Sequence, residues 1–341
     1  MPALRFALAQ TNPVVGDIAG NLRQCLDAVR EAKAQGATLV AFGEMVLSGY
    51  PIEDLATRED FLENCEAALA GFAKVLDSEG LGEVYVVIGH PRLAQKSPER
   101  SWAIAQNAAS VIYRGQIIGS YAKHHLPNYS VFDEYRNYLP GTEIFVFDCG
   151  GHRVGLTICE DIWQPGGSVS QLESENLDLC LVLNGSPFEI DKDDKRLALV
   201  KSLAKRLESA VGYVNLVGGQ DDLVFDGDSL AVSRSGALAG RSLHFATDLT
   251  VFELSEQLSP VTPVSLNRAD DLEQVWGALV LGLRDYVSKN QFKSVVLGLS
   301  GGIDSAVCAA LAVDAIGADR AFGVRLPSEF SSQHSLEDAE Q

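Results

Sequence analysis

Residues 154–163 read Val154-Gly155-Leu156-Thr157-Ile158-Cys159-Glu160-Asp161-Ile162-Trp163. An apolar, β-branched run ends abruptly in a thiol and two carboxylates, the pattern of a strand delivering reactive groups to a loop. Two other apolar runs end in the same manner: 38–42 leads to Glu44, and 116–121 leads to Lys123. Loops at strand ends of open α/β sheets converge over a crevice, so these three side chains form one candidate constellation.

Further strands are expected at 5–10, 84–89, 103–112, 144–147, 179–184, 214–217 and 229–232, and helices at 60–76 and 192–210. A helix ended by Gly36 is expected to present Leu22, Leu26, Val29 and Lys33 on one face. Hairpin-type turns fall at Arg114-Gly115, at Gly150-Gly151 and at Arg234 to Gly236, and helical crossovers join other strands. Tight hairpins mixed with crossovers predict two sheets with helices outside, a four-layer αββα sandwich. The Pro-, Ser- and Thr-containing stretch after Leu254 lacks periodicity and reads as a linker over 255–271, and a fresh helix over 272–289 opens a second domain.

A chain of 341 residues, 46% hydrophobic, suffices for about two domains with real cores. Its formal net charge of −19 argues against nucleic acid or an anionic membrane as partner, because both would be repelled. The six cysteines show no CxxC pair or metal-type spacing, which fits reduced thiols in a cytoplasmic protein. No signal peptide is read at the N-terminus, and no apolar run approaches the roughly 20 residues that span a bilayer.

Opening an amide through a thioester needs a thiol that loses its proton, a cation that lowers the thiol's pKa, and a carboxylate that takes the proton and returns it to the leaving amine. Cys159, Lys123 and Glu44 are that set, and Lys123 with the backbone N–H of Glu160 could hold the developing oxyanion. The motifs Phe42-Gly43-Glu44 with Gly49-Tyr50-Pro51, Lys123-His124-His125-Leu126-Pro127 and Cys159-Glu160-Asp161-Ile162-Trp163 resemble the nitrilase superfamily. The resemblance implies a nitrilase-like sandwich with Glu44 as proton acceptor, Lys123 as oxyanion stabiliser and Cys159 as nucleophile. It adds Glu134 as a supporting carboxylate. More closely, residues 123–138 are similar to the glutaminase domain of glutamine-dependent NAD synthetases, which implies glutamine contacts at Tyr129, Ser186 and Lys192. Hydroxyls and a cation can meet an amino acid's α-carboxylate and amine, leaving its side-chain amide over Cys159.

A second constellation follows the apolar run 295–299. Gly298, Leu299, Ser300, Gly301, Gly302, Ile303, Asp304 and Ser305 form a glycine and hydroxyl loop that opens a helix. No lysine follows the glycines, so it is not a Walker loop. The glycines allow close backbone approach, and the helix N-terminus favours an anion. Asp304 would repel phosphate unless a cation bridged them, which implies Mg²⁺. The SGGIDS run resembles the loop of ATP pyrophosphatase-type synthetases, and residues 325–339 look like the segment after the next strand in NAD synthetases.

The joint resemblance implies a 1–254 glutaminase domain, a 255–271 linker and a 272–341 opening of an adenine nucleotide hydrolase-like parallel-sheet domain. The expected substrates are glutamine, ATP and deamido-NAD, with a homo-oligomer expected for the full-length enzyme. Little chain follows Ser305, so the second domain is expected to be incomplete and this chain to be a glutaminase only. The alternatives are a stand-alone nitrilase-type amidase and an inactive nucleotide-binding scaffold.

Overall fold

The computed structural model describes residues 3–94, 104–325 and 337–339, in two compact units: Met1–Val217 with Phe225–Arg268, and Gly218–Val224 with Ala269–Gln341. No helix among the described residues is long and apolar enough to cross a membrane.

The first half of the first unit runs β1 (Leu4–Gln10), α1 (Ile18–Ala34), β2 (Leu39–Phe42), α2 (Glu59–Ser78), β3 (Tyr85–Leu93), β4 (Ala105–Tyr113), β5 (Gln116–Ala122) and the single turn α3 (Glu134–Asn137). It continues through β6 (Val146–Cys149), β7 (His152–Ile158), α4 (Gly167–Leu172), β8 (Leu179–Asn184), α5 (Lys192–Arg206) and β9 (Ala210–Asn215). The chain then passes through the hairpin β10 (Val217–Gln220) and β11 (Leu223–Asp226), most of which belongs to the second unit, and returns to the first unit for β12 (Leu230–Val232), β13 (Leu238–Arg241), β14 (Asp248–Leu254) and β15 (Leu258–Pro260). One sheet has seven strands in the order β15-β14-β1-β2-β3-β4-β5, the other six in the order β13-β12-β9-β8-β7-β6.

Strand β8 shows why the sequence folds as two stacked sheets. Leu179, Leu181 and Leu183 point into the core between the sheets with Phe6, Leu8, Leu156 and Ile158. Cys180 and Val182 point the other way, under Val169, Leu172, Val200 and Leu203 of α4 and α5. Period-two alternation thus buries both faces, so an unbroken apolar run is what this parallel strand requires. Helices α1 and α2 cover the outer face of the seven-stranded sheet. The αββα sandwich is the fold.

Several elements differ from expectation. The buried face of α1 is Asn21, Cys25, Val29 and Ala32, while Leu22 and Leu26 are half-buried and Lys33 is exposed. Helix α5 stops at Arg206 rather than running to 210, because Glu208 takes φ +49° and the Ser209 N–H turns back to the Ala204 carbonyl. The expected strand 214–217 is two strands, broken at Leu216, whose N–H is drawn to the Asn184 carbonyl. The stretch read as linker carries β15, paired antiparallel with β14.

In the second unit, α6 (Asp271–Lys289) is capped by Asp270, and β16 (Val295–Leu299), α7 (Ile303–Ile316) and β17 (Ala321–Arg325) form a parallel βαβ crossover. Of the stretch 325–339, residues 326–336 lie outside the described residues.

Candidate active site

Glu44 follows β2, Lys123 follows β5 and Cys159 follows β7, so two chemical groups come from one sheet and the third from the other. Lys123, Glu44 and Glu134 are buried to 1%, 1% and 3% exposure. The Lys123 ammonium lies 2.7 Å from Glu44 Oε1 and 2.7 Å from Glu134 Oε2. Three charges so far from water persist only if their remaining lone pairs are satisfied. Asn107 Nδ2 donates to Glu44 Oε1 at 2.6 Å and to Glu134 Oε1 at 3.1 Å, Tyr50 donates to Glu134 Oε1 at 3.0 Å, and the Gly185 N–H donates to Glu44 Oε2 at 2.8 Å.

Cys159 opens a 3-10 turn, Cys159–Ile162, with φ +40°. A left-handed backbone costs a non-glycine residue roughly 1–2 kcal/mol, and such strain collects where a side chain must be presented at a defined angle. Its thiol lies within electrostatic range of Glu44, Lys123, Glu160 and Glu134. Burial, then the Glu44 carboxylate, push the thiol well above its usual pKa despite the pull of Lys123. Lys123 does pull the thiol down, as expected, but it is already engaged by two carboxylates and burial outweighs it. A thiol in such surroundings would need a base to serve as a nucleophile. Burial disfavours the Lys123 cation, but Glu134 and Glu44 outweigh it and hold its pKa well above the usual value. Burial and the Glu44 charge push Glu134 up to about 7, against Lys123 and Tyr50.

Tyr129 donates to Glu160 Oε2 at 2.8 Å, and Gln164 Nε2 holds Glu160 Oε1 at 2.7 Å. Ser186 sits two residues beyond Asn184 at the end of β8. Its N–H donates to Asn215 Oδ1 at 2.9 Å, while Arg196 Nη2 donates to its carbonyl at 2.9 Å and to its Oγ at 3.2 Å. Arg196 is itself fixed on Asp226, 2.6 Å away. Lys192 is placed differently from the rest: its ammonium is paired with Glu189 on the same turn.

The second unit sets Gly298 and Leu299 at the end of β16 and turns at Ser300, Gly301 and Gly302, with Gly301 at φ +78°. Ser305 Oγ donates to the Gly302 carbonyl at 2.9 Å and lies 3.1 Å from Ser300 Oγ. Gly302 caps α7 without a side-chain bond, and Asp304 lies in its exposed first turn with Ile303. An exposed helix start with open N–H groups can receive phosphate. The single Asp304 carboxylate suits Mg²⁺, which is held by one or two carboxylates plus substrate phosphates.

Asn107, Tyr50, Gly185, Asp161 and Arg196 were not singled out as site residues. Tyr50 and Asp161 lie inside the motifs that resemble the nitrilase superfamily, and Asn107 interrupts the apolar strand β4; Gly185 and Arg196 carry no comparable local signal.

The chain matches the carbon-nitrogen hydrolase family over residues 5–261, and NAD synthase over residues 275–341. It belongs to the carbon-nitrogen hydrolase family. Within that class it is a homologue of the glutamine-dependent NAD(+) synthetases. The Aquifex aeolicus protein of that name is 39% identical over 368 residues, which cover 98% of this chain and 63% of the relative. The structure of glutamine-dependent NAD+ synthetase from Acinetobacter baumannii in complex with ADP superposes with a TM-score of 0.89 at 38% identity, covering 99% of this chain and 62% of that one. A variant of the Nesterenkonia amidase from the nitrilase superfamily shares the fold, with a TM-score of 0.62 at 24% identity, covering 74% of this chain and 90% of that one. The chain thus spans under two thirds of the length of the synthetases it matches.

Proposed function

We propose that the first unit hydrolyses the side-chain amide of glutamine at Cys159, and that the second contributes to an ATP site at which the ammonia amidates deamido-NAD. The assignment takes 1–254 as glutaminase, 255–271 as linker and 272–341 as synthetase, in a cytoplasmic, oligomeric enzyme. The observation that carries it is the buried Glu44–Lys123–Glu134 cluster within range of the Cys159 thiol.

Cys159 Sγ attacks the amide carbon while its proton passes to Glu44, and an S–C bond forms. The oxyanion is met by the remaining N–H of Lys123 and by the backbone N–H of Glu160. Collapse breaks the C–N bond, Glu44 returns the proton to the leaving nitrogen, and ammonia departs. Water then adds to the thioester with its proton going to Glu44, and loss of the thiolate, reprotonated by Glu44, releases glutamate. Glu134 holds Lys123 in place, while Tyr129, Ser186 and Lys192 hold the amino-acid end of glutamine. In the second unit, residues 298–305 cradle the ATP phosphates, with Mg²⁺ against Asp304 supplying charge neutralisation when bound.

Ammonia release from glutamine, followed with and without Cys159→Ala, tests the reading. The expected loss is at least about 10⁴-fold. Turnover that survives the substitution overturns the nucleophile, and faster hydrolysis of short aliphatic amides than of glutamine would favour a simple amidase.

A further inference from the structure

We infer that Asp161 is a positioning residue that locks the Lys123 loop onto the Cys159 turn and thereby sets the reactivity of the thiol. The inference rests on Cys159 being the nucleophile. Asp161 is fully buried. Its Oδ1 accepts the His124 N–H at 3.0 Å and the His125 N–H at 2.9 Å. Its Oδ2 accepts the Ile158 N–H at 3.0 Å and the Tyr121 hydroxyl at 2.6 Å. An ionised carboxylate has about four lone-pair sites, and four donors fill them.

The partners matter more than their number. His124 directly follows Lys123, and Ile158 directly precedes Cys159, so one carboxylate pins the backbone beside both groups. Tyr121 lies on β5 of the seven-stranded sheet, and Cys159 directly follows β7 of the other. Asp161 is therefore a tie between the two sheets beside Lys123 and Cys159. The left-handed Cys159 backbone needs surroundings that over-determine it, and the Asp161 to Ile158 bond closes that turn.

Asp161→Asn keeps the shape and loses the function of the tie. Whichever way the carboxamide is turned, its NH₂ faces backbone donors: His124 and His125, or Ile158. The expected outcome is a kcat for glutamine lower by roughly 10²-fold, the scale of a ~1 Å misplacement, with KM within about threefold. Iodoacetamide alkylation of Cys159, followed by peptide mass mapping, should slow about tenfold or more, and its pH profile should shift. Alkylation needs no glutamine. If the unmodified protein fails to hydrolyse glutamine yet D161N still slows alkylation, the glutaminase reading falls and the positioning role stands. D161N with kcat and alkylation within about twofold of the parent overturns the role. Should D161N fail to fold, Tyr121→Phe removes only the side-chain donor. Its expected effect is a three- to tenfold slower alkylation at unchanged KM, on the scale of one lost hydrogen bond, and an unchanged rate overturns the proposal.

Discussion

Replacing Lys123 with Met removes the charge while keeping an unbranched side chain of similar length. In the folded protein it leaves Glu44 and Glu134 facing each other, at 1% and 3% exposure, without the ammonium that sits 2.7 Å from each. Removing one partner from a buried ion pair costs about 3–5 kcal/mol, of which the lost charge-assisted hydrogen bond to Glu44 accounts for ~1.5–3 kcal/mol. For a unit of this size that lowers Tm by roughly 10 °C. The deficit must also depend on pH. Lys123 is a group that holds the Glu134 pKa down, so without it Glu134 rises further above its present value of about 7. A carboxyl with a raised native pKa contributes stability at low pH that is lost as pH rises through that pKa. Melting followed by circular dichroism at pH 5.5 and pH 8 should show the larger deficit at pH 8. Glutamine turnover should fall by at least about 10²–10³-fold, the scale of one lost oxyanion donor. A K123M protein that melts within about 2 °C of the parent at pH 8, or shows one deficit at both pH values, would refute the cluster as described.

Glu134→Gln tests the same cluster from its other end. In the parent, the rise of the Glu134 pKa from 4.5 to about 7 means stability that is complete below about 4.5 and lost through about 7, on the order of 3 kcal/mol. The Gln variant should flatten that part of a urea-midpoint profile measured from pH 5 to 8, and an unchanged slope would assign the titration elsewhere. Gly89→Ala places a methyl group against the Gly43 carbonyl oxygen, 2.6 Å from Met45 N and 2.9 Å from the Glu44 carbonyl carbon. Because the neighbours are backbone, they must move, and turnover should drop by about 10²-fold or more at modest cost in folding. Wild-type kinetics in G89A would show that the Glu44 loop tolerates displacement.

The strand ends were legible because each shows the same local event, an apolar run stopped by a single reactive side chain. Glu44, Lys123 and Cys159 could be named from that alone. Their supporting groups answer to a different variable, the register between strands remote in sequence. Asn107 reaches both carboxylates because β3 and β5 flank β4, with Gly89 opposite Ala109 and Ala122 opposite Ala108. Nothing local to Asn107 reveals that pairing. Helix α1 was legible but its buried face only in part: Val29 is buried as expected, whereas Asn21 and Cys25, each one residue before Leu22 and Leu26, take the buried positions. The balance at Cys159 is not legible in sequence, because it depends on burial and on the two carboxylates that already engage Lys123.

That last point constrains the chemistry. Burial and Glu44 push the Cys159 thiol well above its usual pKa, which favours a route in which the proton leaves as the bond forms. On the proposed mechanism, attack would be concurrent with proton transfer to Glu44, so that the anion is consumed as it forms. This demands that sulfur, carboxylate and substrate carbon meet at defined angles, because a general base acts only within hydrogen-bond reach. The polar shell supplies that definition. Asn107 and the Gly185 N–H fix Glu44, Glu134 fixes Lys123, and Asp161 fixes the turn beneath Cys159. On that mechanism, a site with a free thiolate could tolerate looser support, whereas one that keeps its thiol protonated until substrate arrives could not.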